Sequence, residues 1–399
     1  MPYRSKKFSA NPVPSEVQAD LWDHRADLAE SAVRNRHGHR LWAIPGTNLA
    51  ATAWPAAAAH RWSLTWHYWW QAHYLDCQLD AVSRRPTKER LKTVRATRNS
   101  MILRNFGRVT SNHYYDDKAW LALALQRYKM LVPTHRSVAL RPLIMNLTDA
   151  VDSATGVLPW KVGMTFYNVP TNGPAAMLFA RLGRIDEAAQ LTDWIFDNLL
   201  GNDGLIKDGI RLEMIGPVTE EWAYSYNQGV MIGACLEIAK RLAATQPEKA
   251  AEYQSRAANL VHSVAKHLAD EKGVVRGGGG GDGGLFNGVL VRYLALAALE
   301  ASDPATRKIA RRLVLQSADS AWRHRLDLDG LPLFSADWAA DARVPQSGSV
   351  LAASVGGAVN SSELPERDLS VQLSGWMLME AAAKLMATPD GKGTSPAEK

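Results

Sequence analysis

The stretch HYYDDKAW sets two adjacent carboxylates, Asp116 and Asp117, where a polar, aromatic approach gives way to a strongly apolar helical pattern. Two carboxylates held close together and partly desolvated cannot both ionise easily, so one keeps its proton near neutral pH. Glycoside hydrolysis needs that division of labour: one group protonates the leaving oxygen while the other stabilises or attacks the anomeric carbon. Neighbours at a loop-to-helix junction can diverge enough to set their carboxyls ~5 to 5.5 Å apart, the separation associated with retention of configuration. Helix capping explains the same dipeptide, because Asp in a first turn accepts backbone N–H bonds and meets the positive end of the helix dipole. A second pair, Glu220-Glu221 in PVTEEWAY, also precedes a helical pattern and is explained by capping. A base from that pair with an acid from the first would open the wider gap of an inverting enzyme.

The elements that must position these groups are helices. Apolar residues recur at i, i+3, i+4 and i+7 near 15-38, 61-82, 85-99, 117-131, 135-152 and 172-184, and again near 186-200, 226-245, 247-270, 284-302, 304-322 and 368-387. Twelve helices with short links pair into six antiparallel hairpins, and six hairpins can close into a toroid whose inner helices frame a cleft. The expected fold is an all-α (α/α)6 toroid, one domain over 1-387, with a disordered tail at 388-399. The Ser/Gly/Ala/Pro-rich segment 324-366 exceeds ordinary loop length and is expected to be functional or partly mobile. RGGGGGDGG around Asp282 lacks the Lys-Ser/Thr ending of a phosphate loop and follows no strand pattern, so it reads as a flexible loop.

Composition removes other classes. A formal charge of +6 over 399 residues, not gathered into a dense basic run, argues against nucleic acid. Cys77 and Cys235 sit in apolar helical patterns and read as buried free thiols. His37 and His39 in RHGHR read as surface residues, since no further ligand follows at zinc-like spacing. No metal or organic cofactor is expected. No stretch approaches the ~20 apolar residues of a membrane span, and no apolar leader follows the basic N-terminus, so the expected setting is cytoplasmic. A monomer is expected. The 14 Trp against 7 Phe suit stacking on the apolar faces of sugars.

YYDDKAW, together with YSYNQGVMIGACLEIAK at 224-240, FNGVLVRYLALAAL at 286-299 and DLSVQLSGWMLMEAAAKL at 368-385, resembles glycoside hydrolase family 76. The resemblance runs from about the helix at 61-82 through residue 387. It implies an (α/α)6 toroid that cleaves α-1,6-mannosidic bonds, in mannan or a mannose-containing glycolipid. It further implies Asp116 as nucleophile and Asp117 as general acid/base. It brings Asp208 in LIKDGI forward as a supporting carboxylate and Asn172 as a cap that also faces substrate. Arg292 enters on the same ground, although Asn287 stands where the family often has Lys. From the residues themselves, Tyr115 flanks the pair. Trp66 and His73 fall on the stripe of RWSLTWHYWWQAHYLD with Trp62, Trp69, Trp70 and Tyr74. Tyr226 can stack or hydrogen-bond, Asn227 and Gln228 can read sugar hydroxyls, and Gly229 allows close helix packing.

Three other classes remain on sequence grounds. A transglycosidase would use the same cleft with water excluded. A sugar epimerase or isomerase on the same fold would need a histidine acid and base, and no such pair is evident. A binding protein that has lost catalysis is disfavoured by the intact Asp pair.

Overall fold

The structure, a computed structural model, describes residues 15–132, 138–346 and 348–388. The helices, in chain order, are α1 (Ser15–His37), α2 (Ala58–Arg61), α3 (Tyr68–Arg84), α4 (Lys88–Arg104), α5 (Tyr115–Leu131), α6 (Leu140–Asp149), α7 (Val169–Arg181), α8 (Ile185–Leu199), α9 (Ser225–Leu242), α10 (Pro247–His267), α11 (Gly283–Glu300), α12 (Pro304–Arg323) and α13 (Leu369–Ala387). Apart from the single turn of α2, each answers one periodic segment of the sequence.

Two kinds of pattern sort them into two rings. On α10 the buried residues Ala250, Tyr253, Ala257, Leu260, Val261 and Val264 fall at three- and four-residue steps, the narrow stripe of a helix with one solvated face. On α9, buried residues run almost without interruption from Tyr226 to Leu236, because neighbours lie on several sides. The helices of the second kind contact one another in a closed circuit, α3 to α5, α7, α9, α11, α13 and back to α3. α1, α4, α6, α8, α10 and α12 pack outside them, which makes the (α/α)6 toroid. Burying each large apolar side chain of the inner ring, such as Trp70, Trp376 or Leu75, contributes about 1.5–3 kcal/mol.

Close approach within the ring rests on glycine where the sequence anticipates it. A Cβ on Gly229 of α9 would lie 2.7 Å from the Leu290 Cα of α11, so those two backbones can touch only there. α11 is apolar enough over 18 residues to cross a membrane by length and composition, but 67% of it is buried and it packs between α9 and α13.

Because the inner helices alternate with outer ones, all six run the same way and their N-termini gather at one mouth. Short strands decorate the connections. β1 (Gly38–His39) pairs with β2 (Leu49–Ala50), and β3 (Phe166–Asn168), β4 (Gly209–Glu213) and β5 (Gly216–Glu220) form an antiparallel sheet beside the mouth. Segment 324-366 carries two hairpins, β6 (Leu326–Leu328) with β7 (Leu331–Leu333) and β8 (Ala353–Val355) with β9 (Ala358–Asn360).

Several local expectations are corrected. The segment at 61-82 is not one helix: Ser63 (φ 53°) and His67 (φ 44°) are left-handed, and α3 begins only at Tyr68. The break turns Trp66 off the helical stripe and frees its carbonyl to accept from Gln71 Nε2 at 2.9 Å. The segment at 135-152 is helical from Leu140 to Asp149, with 133–137 outside the described residues. His37 is buried, its Nδ1 2.8 Å from the Ala51 carbonyl, and His39 meets the Ser63 hydroxyl at 2.9 Å, so both pin the β1–β2 corner and are not surface groups. Cys77 and Cys235 are buried free thiols. The tail expected at 388-399 lies outside the described residues beyond Thr388.

Candidate active site

Six helix N-termini converging on one mouth concentrate positive partial charge, an environment that favours carboxylates. Asp116 and Asp117 occupy the first turn of α5, yet capping that helix accounts for little of their bonding, since the N-cap is Tyr114 without a side-chain cap. Asp116 Oδ1 accepts the Asp117 backbone N–H at 2.8 Å, and its other oxygen accepts the indole N–H of Trp160, also at 2.8 Å. Asp117 Oδ2 accepts from Asn112 Nδ2 at 2.5 Å, and the carboxylate also draws on the Trp69 backbone N–H at the start of α3. The left-handed His67 makes no side-chain cap there, so a carboxylate from the neighbouring inner helix takes up that N-terminus.

Both carboxyls lie deep among protein atoms but remain partly accessible. Burial raises Asp116 to about 7, opposed by its Trp160 and backbone bonds and reinforced by Asp282 and Asp208. Burial also raises Asp117 well above the usual carboxylate range, and the charge of Asp116 adds to it. The two titrate as a pair, and near neutrality burial and mutual repulsion leave the pair holding a proton. One carboxylate able to attack beside one acid able to donate is what a two-carboxylate glycosidase requires.

Two further carboxylates act on the pair. Asp208, at the entry to β4, is raised to about 6, chiefly by burial, and accepts from Asn227 Nδ2 at 2.9 Å. Asp282 precedes α11 in the Gly-rich segment: its Oδ1 accepts both indole N–H groups of Trp69 and Trp70, at 2.9 and 2.8 Å, and its Oδ2 accepts the Val359 N–H at 2.7 Å. The end of that segment is therefore packed, not a free loop: a Cβ on Gly281 would lie 2.2 Å from the Val359 carbonyl. Lys118, buried behind the pair, is lowered to about 8 by desolvation against the pull of Asp117 and Asp116. Its ammonium lies 3.9 Å over the Tyr115 ring and 2.7 Å from Asn146 Oδ1.

The sequence candidates divide by height in the toroid. Asp116, Asp117, Asp208, Tyr115 and Tyr226 come to the mouth, where Tyr226 stacks on Phe286 with centroids 4.1 Å apart and planes at 3°. Trp66 stands beside Tyr68 with Arg104 over its ring. Asn227 supports Asp208 from a buried position. Asn172 and Gln228 are fully buried clips, the first holding Leu158 by its N–H and carbonyl, the second holding Ile206 likewise. Asn172 is also one turn inside α7, whose N-cap is Asn168, so it is not the cap the sequence suggests. His73 is buried between Trp69 and Trp120, centroids 5.4 and 4.8 Å away, and floors the cleft. Arg292 lies beyond that floor, paired with Asp76 and Asp80. Glu220 and Glu221 sit at the end of β5, paired with Arg211 and Lys207 across the sheet and solvent, and cap no helix.

Trp160, Asn112 and Asp282 are the contributors that sequence reasoning missed. Asp282 alone left a signal, a carboxylate immediately before an apolar helix, as Asp116 and Asp117 stand before theirs. No group of three or more His, Cys, Asp and Glu suited to a metal occurs among the described residues.

Residues 47–373 match the sequence profile of glycosyl hydrolase family 76. The α-1,6-mannanase GH76A of Salegentibacter sp. HEL1_6 superposes with a TM-score of 0.74 at 26% identity, covering 92% of this chain and 99% of that one. An inactive variant of that enzyme, with two adjacent aspartates changed to asparagine and α-1,6-mannotriose bound, gives 0.74 at 25% identity over the same shares. The Lin0763 protein of Listeria innocua gives 0.73 at 28%, covering 91% of this chain and 97% of that one. No curated protein sequence matches.

Proposed function

This chain belongs to glycosyl hydrolase family 76, and on that footing we propose that its cleft cleaves α-1,6-mannosidic bonds of a mannan-type chain by a retaining double displacement. The observation that carries the reading is the buried, mutually interacting pair of Asp116 and Asp117, each held by two donors and each raised chiefly by burial, under one set of helix N-termini. The bound α-1,6-mannotriose of the Salegentibacter enzyme, inactive once two adjacent aspartates become asparagine, supports the substrate and the pair together.

In the first step the Asp116 carboxylate attacks the anomeric carbon while Asp117 gives its proton to the departing glycosidic oxygen, leaving a mannosyl ester on Asp116. In the second, ionised Asp117 takes a proton from water, whose oxygen attacks the same carbon and releases Asp116 as carboxylate. Trp160 holds the nucleophile's oxygen and favours its charged form. Asp208 and Asp282 keep the local potential negative, which favours the oxocarbenium-like transition state and helps the pair hold its proton. The stacked Tyr226 and Phe286, with Trp69 beside them, supply a flat wall for a pyranose. That Glu220 and Glu221 stand in ion pairs with Arg211 and Lys207 at the end of β5 disfavours either as the base of an inverting reaction.

Incubation with linear α-1,6-mannan tests the reading. The parent protein releases mannooligosaccharides; Asp116→Asn and Asp117→Asn each abolish release with circular dichroism unchanged. Absence of both mannan cleavage and transfer to an added mannoside would refute it.

A further inference from the structure

Beside the mouth of the cleft, where α2 leads into α3 and α4 ends, large apolar side chains are turned to solvent. Leu64 is 71% exposed, Phe106 76% and Trp62 56%, with Ile44 and Leu103 also exposed. These segments form one corner: Phe106 stacks on Trp42 with centroids 6.0 Å apart, and Arg104 lies over the rings of Trp42 and Trp66 while its Nε donates to the Ser63 carbonyl at 3.1 Å. α3, whose first turn reaches Asp117, leaves directly from this corner.

Two further observations bear on its use. Neither residues 31–75 nor residues 90–115 contain Asp or Glu. Arg40, Arg61 and Arg108 are exposed, and among the described residues no carboxylate pairs with them or with Arg104. The backbone is also held in an unfavourable form, since Trp42, Ala43, Ser63, His67 and Phe106 are all left-handed, with φ from 44° to 60°. Residues with a Cβ adopt that region rarely, and it persists where the surroundings impose it, commonly at functional sites. At Ser63 it stands between the exposed Trp62 and Leu64, and at Phe106 it holds the exposed ring itself. Apolar surface kept in water at a cost in backbone strain marks an interaction site. A neutral glycan would leave the arginines without a counter-charge. Aromatic and aliphatic side chains among unpaired guanidinium groups suit the headgroup level of an anionic bilayer, the apolar groups entering the acyl boundary and the cations meeting phosphates. The β4–β5 tip makes the contrast: Met214 and Ile215 are as bare, but Glu213 is next to them and Glu220 closes the same hairpin.

We propose that this corner docks the protein on an anionic lipid surface, with the mouth of the cleft beside the bilayer. The inference goes beyond the reaction assigned to Asp116 and Asp117 and asks nothing of them. The test is co-sedimentation of the intact protein with vesicles of phosphatidylglycerol and phosphatidylcholine in equal parts, against phosphatidylcholine alone. The parent protein is expected to partition onto the anionic vesicles and to be released by added salt. Leu64→Asp with Phe106→Asp is expected to lower that partition about tenfold or more, with circular dichroism and cleavage of soluble α-1,6-mannan unchanged. Met214→Asp with Ile215→Asp, on the acidic hairpin, is expected to leave the partition as it was. A parent protein that stays in the supernatant, or partition that survives Leu64→Asp with Phe106→Asp, would overturn the proposal. So would a variant that keeps its partition but binds soluble mannan less tightly, which would make the corner a glycan platform.

Discussion

Trp160→Phe isolates one bond to Asp116, the proposed nucleophile. The indole N–H donates to Asp116 Oδ2 at 2.8 Å, and phenylalanine keeps an aromatic ring beside Tyr114 and Phe166 while deleting the donor. A hydrogen bond to a charged acceptor is worth about 1.5–3 kcal/mol, and one pKa unit corresponds to about 1.4 kcal/mol. The bond stabilises the ionised form, so its loss makes Asp116 harder to ionise than its present value of about 7 allows. The acid limb of the pH profile of kcat/KM for α-1,6-mannan should therefore move upward by about 1–2 units, and the rate at pH 7 should fall about 5- to 50-fold. Raising the pH should recover part of the lost rate until Asp117 also loses its proton. An acid limb that stays in place, whether activity falls uniformly or not at all, would refute this role for Trp160.

Asn112→Ala removes the donor to Asp117 and raises its pKa further, so the alkaline limb of the same profile should move to higher pH. Asp282→Asn deletes a negative neighbour that raises both members of the pair, and should shift both limbs to lower pH; an unmoved profile would show that Asp282 acts only through the Trp69 and Trp70 indoles. Gly229→Ala forces a methyl 2.7 Å from the Leu290 Cα and should cost about 1–3 kcal/mol in denaturant unfolding, with the pH profile of any residual activity unchanged. Arg84→Met strands Glu380, which is 5% exposed and paired at 2.8 Å, and should cost about 3–5 kcal/mol in the same assay.

Twelve helices were legible because an apolar stripe repeats at helical spacing whatever its neighbours do, and the ring follows from how many sides of each helix are buried. The break before α3 left no such trace. Ser63 and His67 take left-handed conformations without being glycine, held by bonds that join Asp117 and Gln71 to that corner. Height along an inner helix was equally hidden. At about 1.5 Å per residue, Arg292 lies roughly 14 Å from the start of α11 and His73 roughly 8 Å from the start of α3, so residues that face the same axis belong to different mouths. Trp160 and Asn112 reach the pair from connecting segments with no periodicity to reveal them. Asn172 and Gln228, polar residues on inner helices, look from sequence like sugar-reading groups, yet they satisfy backbone groups of the loops they hold.

The stereochemistry of the first-formed product tests the central assignment most directly. Proton NMR during cleavage of linear α-1,6-mannan should show the α-anomer of the new reducing end before mutarotation, as attack by Asp116 and release by Asp117-activated water require. Initial appearance of the β-anomer would mean a single displacement by water, and would contradict the assignment of Asp116 as nucleophile.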